Sequence, residues 1–277
     1  MQRVKKDADR FDGRGPAPQC GPMANSERLE TALAAAAAAA EVIRRGYGGF
    51  PVVRTKADGS PVTDVDVAAE QAIRAVVQGR FPANGFYGEE SAADRLDAEW
   101  LWLVDPIDGT KSFVRKYPMF STQIALMRYG QLELGVSSAP VYGETAWAER
   151  EAGAWLDDRR LTVSRVEHLG EASVSTGNLR SLARGPRWAA LGRLVEKADR
   201  IRGYGDFLHY HLLAAGSIDA VIESDINILD IAALTVIVEE AGGRVTDLEG
   251  NAIALDTTSI LATNGVLHDA LLKALRA

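Results

Sequence analysis

A chain of 277 residues that is 47% hydrophobic and 25% charged has the composition and length of a globular protein with a sizeable core, which excludes disorder of the whole. Its formal net charge of −7 argues against a nucleic-acid binder working through a basic field and favours a small-molecule partner. The single cysteine, Cys20, excludes an intramolecular disulfide and a thiolate metal cluster and suits a reducing cytosol, and there is no run of about 18 apolar residues to span a membrane.

In chain order, residues 1–22 are charged and rich in glycine and proline with no apolar stretch, so they are expected to form a disordered tail without a secretion signal. Cys20 is a plain free thiol within it, and Met23 is the expected start of translation or of the fold. Ser26 is placed to cap a helix running through RLETALAAAAAAAEVIRR (from Arg28) to Gly46, whose alanine run from Ala34 to Ala40 reads as a close-packed face. A second helix is expected over residues 66–79, with Thr63 as N-cap and Asp66 three residues on, the arrangement of a capping box. From residue 100 to residue 175 the pattern turns to strands: WLWLV, then FSTQIALMRYGQLELGVSSAP with a turn at Arg128 to Gln131, then ETAWAERE, GAWL and RLTVS, a mostly antiparallel sheet. After that, elements alternate: a strand in EASVST, a helix over residues 188–197, a strand in ADRIRG, a helix in FLHYHLLAAG, a strand in IDAVIES, a helix in IAALTVIVEEAGG ended by Gly242 and Gly243, strands in RVTD and SILATN, and a last helix. Alternation implies helices layered on a sheet. The join near Asp157 to Arg160 separates an N-terminal part, residues 23–157, from a C-terminal part, residues 158–277.

The stretch WLWLVDPIDGTKSF ends an apolar run on Asp105 and Asp108. Asp-Pro and Asp-Gly pairs both favour a plain turn, and a Gly-containing corner at the start of a short helix also leaves backbone N–H groups for an anion, so turn and site both stand. Pro106 stands two residues before Asp108, which excludes the D-x-D-G-T signature of aspartyl-phosphate hydrolases. The D-P-I-D spacing instead brings two carboxylates and the Ile107 carbonyl near one point, a hard-oxygen chelate suited to Mg²⁺. Glu89 and Glu90 in GFYGEES read by themselves as a solvated loop or the N-cap region of a helix, Asp230 as the N-cap of its helix, and Asp66 as a capping residue or a functional one. His209 and His211, two apart on a helix, point to different faces, cannot form an i, i+4 zinc pair, and are expected in packing or surface roles. His168 and His268 have no motif around them.

Taken together in order, KADGSPVTDVD (Lys56 to Asp66), GEES (Gly88 to Ser91), WLVDPIDGTKSFV (Trp102 to Val114) and LDIAALTVIVEEAGGRVTD (Leu229 to Asp247) resemble the inositol monophosphatase family of Mg²⁺-dependent, lithium-sensitive phosphomonoesterases. The resemblance covers nearly everything after the tail. It implies an α+β fold, a layered αβαβα sandwich of the inositol monophosphatase and fructose-1,6-bisphosphatase type, and a cytoplasmic homodimer with two or three Mg²⁺ per site. On that pattern Glu89, Asp105, Asp108, Asp230 and the Ile107 carbonyl are the metal ligands. Asp66 and Thr110 orient the attacking water, with Glu89 in the catalytic set, the Gly109 and Thr110 N–H groups hold the phosphate, and Lys56 matches the family lysine before the first helix. Leu229 departs from the tryptophan usual before the last aspartate. Four converging carboxylates in a chain of net charge −7 make sense only with divalent cations among them.

Within the family, DPIDGTKSFV, SSAPVYGETAWAEREAGAW and GYGDFLHYHLLAAGSIDAVIES are most similar to the histidinol-phosphatase branch of histidine biosynthesis. They put Asp206 at a helix start and Glu223 seven residues before Asp230, where the family contacts the organic part of its phosphate monoester. Two acids there suit a cationic substrate better than a neutral polyol. Hydrolysis of inositol-1-phosphate or another sugar or nucleotide phosphate is the alternative, and a catalytically inactive phosphate-binding regulator is the alternative of another class. An intact ligand set argues against the last. No nucleic-acid or membrane partner is expected.

Overall fold

The computed structural model describes residues 25–57 and 59–276, so the expectations for residues 1–22, Cys20 and Met23 lie outside the described residues. Helix α1 (Glu27–Tyr47) starts on Ser26, whose hydroxyl accepts the Leu29 N–H at 3.1 Å. Its buried face carries Leu29, Ala32, Ala35, Ala36, Ala39 and Ile43, and these small side chains let helix α2 (Asp64–Arg80) pack closely against it. Helix α2 opens on the capping box expected from the spacing of Thr63 and Asp66, two residues earlier than the apolar pattern begins. Between the two helices, β1 (Val53–Thr55) and β2 (Pro61–Thr63) form a short antiparallel hairpin.

The larger sheet has seven strands in the order β3 (Gly85–Gly88), β4 (Trp100–Asp108), β5 (Ser121–Arg128), β6 (Gln131–Ala139), β7 (Glu144–Glu149), β8 (Gly153–Leu156) and β9 (Arg159–Arg160). Only β3 and β4 pair in parallel. Helices α3 (Thr110–Val114) and α4 (Leu179–Arg184) are short, α3 lying between β4 and β5, and a second sheet has five strands. These are β10 (Ser173–Thr176), β11 (Arg200–Arg202), β12 (Ala220–Ser224), β13 (Arg244–Thr246) and β14 (Ser259–Thr263), in the order β11-β10-β12-β14-β13. The other helices are α5 (Trp188–Lys197), α6 (Asp206–Ala214), α7 (Ile228–Glu240) and α8 (His268–Arg276).

Strand alternation sorts the core into layers. Trp102, Val104, Ile124 and Leu126 point from the larger sheet towards α1 and α2, while Leu101, Leu103, Ala125 and Met127 point to the opposite face, where α6 and α7 lie. Helix α7 is apolar on every side because Val221, Ile260 and Ala262 of the second sheet cover it from the other direction. Val174, Ala220, Ile222 and Leu261 face outward from that sheet onto Leu191 and Leu194 of α5 and Leu271 and Leu275 of α8. The result is the αβαβα sandwich. No helix among the described residues is long and apolar enough to cross a membrane.

One expected strand is corrected. In RLTVS only Arg160 pairs, within β9, and residues 161–164 leave the sheet edge to cross to the second sheet. There Val163 N–H donates to the Ala241 carbonyl at 3.0 Å and the Ser164 hydroxyl to Asp219, so these residues are satisfied outside any ladder.

Candidate active site

Strand β4 is buried from Leu101 through Ile107 and carries its two aspartates into an irregular step against β5, where pairing passes from Asp105 opposite Gln123 to Asp108 opposite Ser121. Pro106 has no N–H for the ladder, and its carbonyl accepts the Thr122 hydroxyl at 2.8 Å. Asp105 Oδ1 accepts the Ile107 N–H at 2.9 Å. Gly109 follows at φ +92°, and a Cβ there would stand 2.5 Å from the Met119 carbonyl oxygen, so only glycine fits this corner before α3 begins at Thr110.

Asp230 joins this corner from the far half of the chain, on the first turn of α7. It is not the N-cap expected of it. Asn227 holds that position, its side chain accepting the Leu229 N–H at 2.7 Å, and Asp230 is the third helical residue, its Oδ2 accepting the Asn227 N–H at 3.0 Å. The spacing Asn-x-x-Asp is itself a capping-box signal, and it fixes the Asp230 side chain at the helix entrance. The carboxylate oxygens of Asp105, Asp108 and Asp230 lie within 4.8 Å of one another.

Three carboxylates so close, and largely dry, oppose each other's ionisation. Burial first, and then the charges of Glu89, Asp108 and Asp230, hold the Asp105 carboxyl well above the usual range. Burial, followed by Asp206, Asp230, Glu223 and Glu89, does the same to Asp108. Burial, with Glu89, Glu223 and Asp206 outweighing the Asn227 N–H, pushes Asp230 up to about 7. A cation removes this conflict, and an all-oxygen donor set fits a hard divalent ion rather than zinc or copper.

Glu89 reaches the corner at the end of β3, its N–H donating to the Val104 carbonyl at 3.1 Å. It is not one of the three converging acids. Its Oε1 accepts from Lys56 Nζ at 2.8 Å, and Lys56 also donates to Glu90 Oε1 at 2.7 Å. Burial disfavours the Lys56 charge, but hydrogen bonds and charges from the two glutamates outweigh it and raise the ammonium pKa. Glu90, a solvated loop residue by its sequence, is instead the more buried partner of this bridge, and its N–H donates to Glu70 at 2.7 Å. Asp66 is fully buried: its Oδ2 accepts the Thr63 N–H and hydroxyl, and its Oδ1 accepts the Thr110 hydroxyl at 3.1 Å. The Ile107 carbonyl lies 3.1 Å from the same hydroxyl, so one proton serves two acceptors.

A cavity opens from Asp108 and Asp230, lined also by Asn178, Asp206, Tyr210 and Glu223. Its volume is about 70 Å³, well below that of a complete small-molecule site, so it accommodates only part of a substrate. Asp206, the first residue of α6, is pushed up to about 6 by burial and then by Glu223, which together outweigh the opposing influence of His209 and Lys111. His209 and His211 are buried and belong to separate networks: His209 faces Ser175 and Glu223, while His211 lies 3.0 Å from Glu144 and 2.9 Å from Ser137. Tyr210 and Asn178 were not legible as site residues, since nothing near them in the chain marks them.

The sequence profile of the inositol monophosphatase family matches residues 24–277. The chain belongs to the inositol monophosphatase family. It is 41% identical over 256 residues to a histidinol-phosphatase of Mycobacterium tuberculosis, covering 90% of this chain and 98% of that protein. An inositol-1-monophosphatase of Mesorhizobium japonicum is 34% identical over 261 residues, covering 92% and 98%. The crystal structure of the extragenic suppressor protein suhB from Bartonella henselae superposes with a TM-score of 0.84 at 32% identity, covering 91% of this chain and 99% of that one. As a member of the inositol monophosphatase family the chain is a phosphoric monoester hydrolase. Leu229, where the family resemblance expects tryptophan, is 4% exposed and packs in the core between the two sheets, so the departure is absorbed in packing.

Proposed function

We propose that the chain is a Mg²⁺-dependent histidinol-phosphate phosphatase. The observation that carries this reading is the adjacency of two acidic groups: the Asp105, Asp108 and Asp230 cluster opens directly into a cavity lined by Asp206 and Glu223. One suits a divalent cation and the other an organic cation, and histidinol phosphate brings an amine and an imidazole beside its phosphate. The 41% identity to a histidinol-phosphatase supports the same substrate. The 34% identity to an inositol-1-monophosphatase favours inositol-1-phosphate as the second reading.

In this mechanism Asp105, Asp108, Asp230, Glu89 and the Ile107 carbonyl would hold two or three Mg²⁺. When bound, the metal supplies positive charge to the phosphate and acidifies water for attack. Asp66 accepts the Thr110 proton at Oδ1, which leaves the Thr110 oxygen to take a hydrogen bond from the attacking water and aim it. Burial, its largest influence, raises the Asp66 carboxyl and so increases its basicity as the end point of that proton path. The Gly109 and Thr110 N–H groups, at the start of α3, hold phosphate oxygens. Lys56 bridges the Glu89 and Glu90 carboxylates and so fixes where they stand beside the site. Asp206 and Glu223 bind the substrate cation. The test is phosphate release from histidinol phosphate, inositol-1-phosphate, fructose-1,6-bisphosphate and adenosine 3′,5′-bisphosphate, ranked by kcat/KM. Histidinol phosphate ranks first on this reading, and a higher rank for any other ester replaces it.

A further inference from the structure

Glu223 is held from three sides. Tyr210 donates its hydroxyl to Glu223 Oε2 at 3.0 Å. His209 Nε2 lies 3.2 Å from the same oxygen, out of line for a hydrogen bond, and among the described residues no other partner takes it. On the remaining side stands Gly177, where a Cβ would come within 1.9 Å of Glu223 Oε1. The chain leaves bare backbone at this position, and the carboxylate fills the space a side chain would need.

Ser175 Oγ accepts the Tyr204 N–H at 3.2 Å and shares a hydrogen bond with His209 Nδ1, also at 3.2 Å, which fixes the imidazole ring from the side away from Glu223. The His209 and Tyr210 rings meet edge to face at 4.4 Å, and both residues are buried.

We propose that Tyr210, backed by His209, is a positioning residue that holds Glu223 in one orientation and thereby sets the preference for substrates with a cationic organic part. The inference rests on the reading of Glu223 as a substrate contact. It adds that the selectivity of Glu223 depends on the Tyr210 hydroxyl and on the absence of a side chain at Gly177. Tyr210 engages Oε2, and Oε1 lies beside the bare Gly177 backbone, so both oxygens are set in place.

The experiment measures kcat/KM for histidinol phosphate and for p-nitrophenyl phosphate, which carries no cation, in wild type, Tyr210→Phe, Glu223→Gln, the double variant and Gly177→Ala. Melting temperatures establish that each is folded. Because a hydrogen bond to a charged group is at stake, the ratio of the two constants should fall roughly 10-fold in Tyr210→Phe, mainly through KM for histidinol phosphate. The double variant should show no further loss beyond Glu223→Gln, the non-additivity expected of residues acting through one another. Gly177→Ala, which displaces the carboxylate without touching Tyr210, should lose the same preference, and it decides the matter if Tyr210→Phe does not fold. A wild-type ratio in folded Tyr210→Phe or Gly177→Ala, or independent losses that multiply in the double variant, would overturn the positioning role while leaving Glu223 as a contact. A wild-type ratio in Glu223→Gln would overturn the underlying substrate reading instead.

Discussion

Gly109→Ala tests whether the corner after β4 is both a backbone necessity and part of the active site. Gly109 has φ +92°, where an L side chain costs about 1–2 kcal/mol. The added Cβ would also stand 2.5 Å from the Met119 carbonyl oxygen and 3.1 Å from Phe120 Cα, backbone atoms that cannot rotate away. Overpacking of that kind costs roughly 1–3 kcal/mol, so the sum is roughly 2–5 kcal/mol, and for a chain of this size the melting temperature should fall by roughly 5–15 °C. Because Gly109 joins Asp108 to Thr110, any relaxation of the clash moves one of them, and a shift of about 1 Å is enough for a rate loss on the order of 100-fold. Gly130→Ala is the control: φ is +81° in the turn between β5 and β6, but nothing lies within 4 Å of the added Cβ. It should cost only the conformational term of about 1–2 kcal/mol and leave hydrolysis intact. Thermal melts and phosphate-release rates on both variants give the comparison. If Gly109→Ala melted and turned over like Gly130→Ala, the close approach at this corner would have no energetic or catalytic meaning.

Asp206→Asn should reduce kcat/KM for histidinol phosphate by about 10- to 100-fold, with a much smaller loss on p-nitrophenyl phosphate; equal losses would assign Asp206 to the metal site or the fold. Thr110→Ala should lower kcat more than it raises KM, because its hydroxyl aligns water in the transition state, and a change confined to KM would make it a binding residue. His268 is fully buried between Thr246 and Thr263, and burial, followed by the Arg244 charge, lowers its pKa from 6.5 to about 4. The unfolded chain therefore takes up a proton below pH 6.5 that the native state refuses until about pH 4, so stability falls as pH drops through that window. The loss reaches about 3 kcal/mol at the acid end. Denaturant titrations from pH 7.5 to 4.5 should show a shallower decline in His268→Asn, and identical declines in both proteins would refute the assignment.

Legibility in the sequence followed how locally each feature is encoded. Thr63 with Asp66, the helix over α5 and the alternating strands β4 to β8 are written in short-range spacing, and the structure has them. The Asn227 cap is also written as a three-residue spacing, but Asp230 alone already suits a cap and masks it. The β1–β2 hairpin and α4 are too short and too exposed to impose a period on their residues, and the end of the RLTVS stretch depends on where a sheet edge stops, which no local pattern records. At the site, the motif order pointed to Asp105, Asp108 and Asp230, which the fold brings together from more than 100 residues apart. What the chain could not disclose was orientation: that Glu89 turns to Lys56, that Glu90 is the more buried of the pair, and that Tyr210 reaches Glu223 from the next element. These are consequences of layer packing, not of neighbours in sequence.

The proposal that Asp105, Asp108 and Asp230 form a metal centre is tested most directly by stripping the protein with EDTA, dialysing, and following histidinol phosphate hydrolysis as Mg²⁺ is restored. Activity should vanish on stripping and return saturably with Mg²⁺. In Asp108→Asn, folded as judged by its melt, the rate should stay lower by on the order of 10³ even at saturating Mg²⁺, since a ligand is weakened without a change in volume. Full activity in the stripped protein, or a near-native rate in Asp108→Asn, would contradict the metal centre.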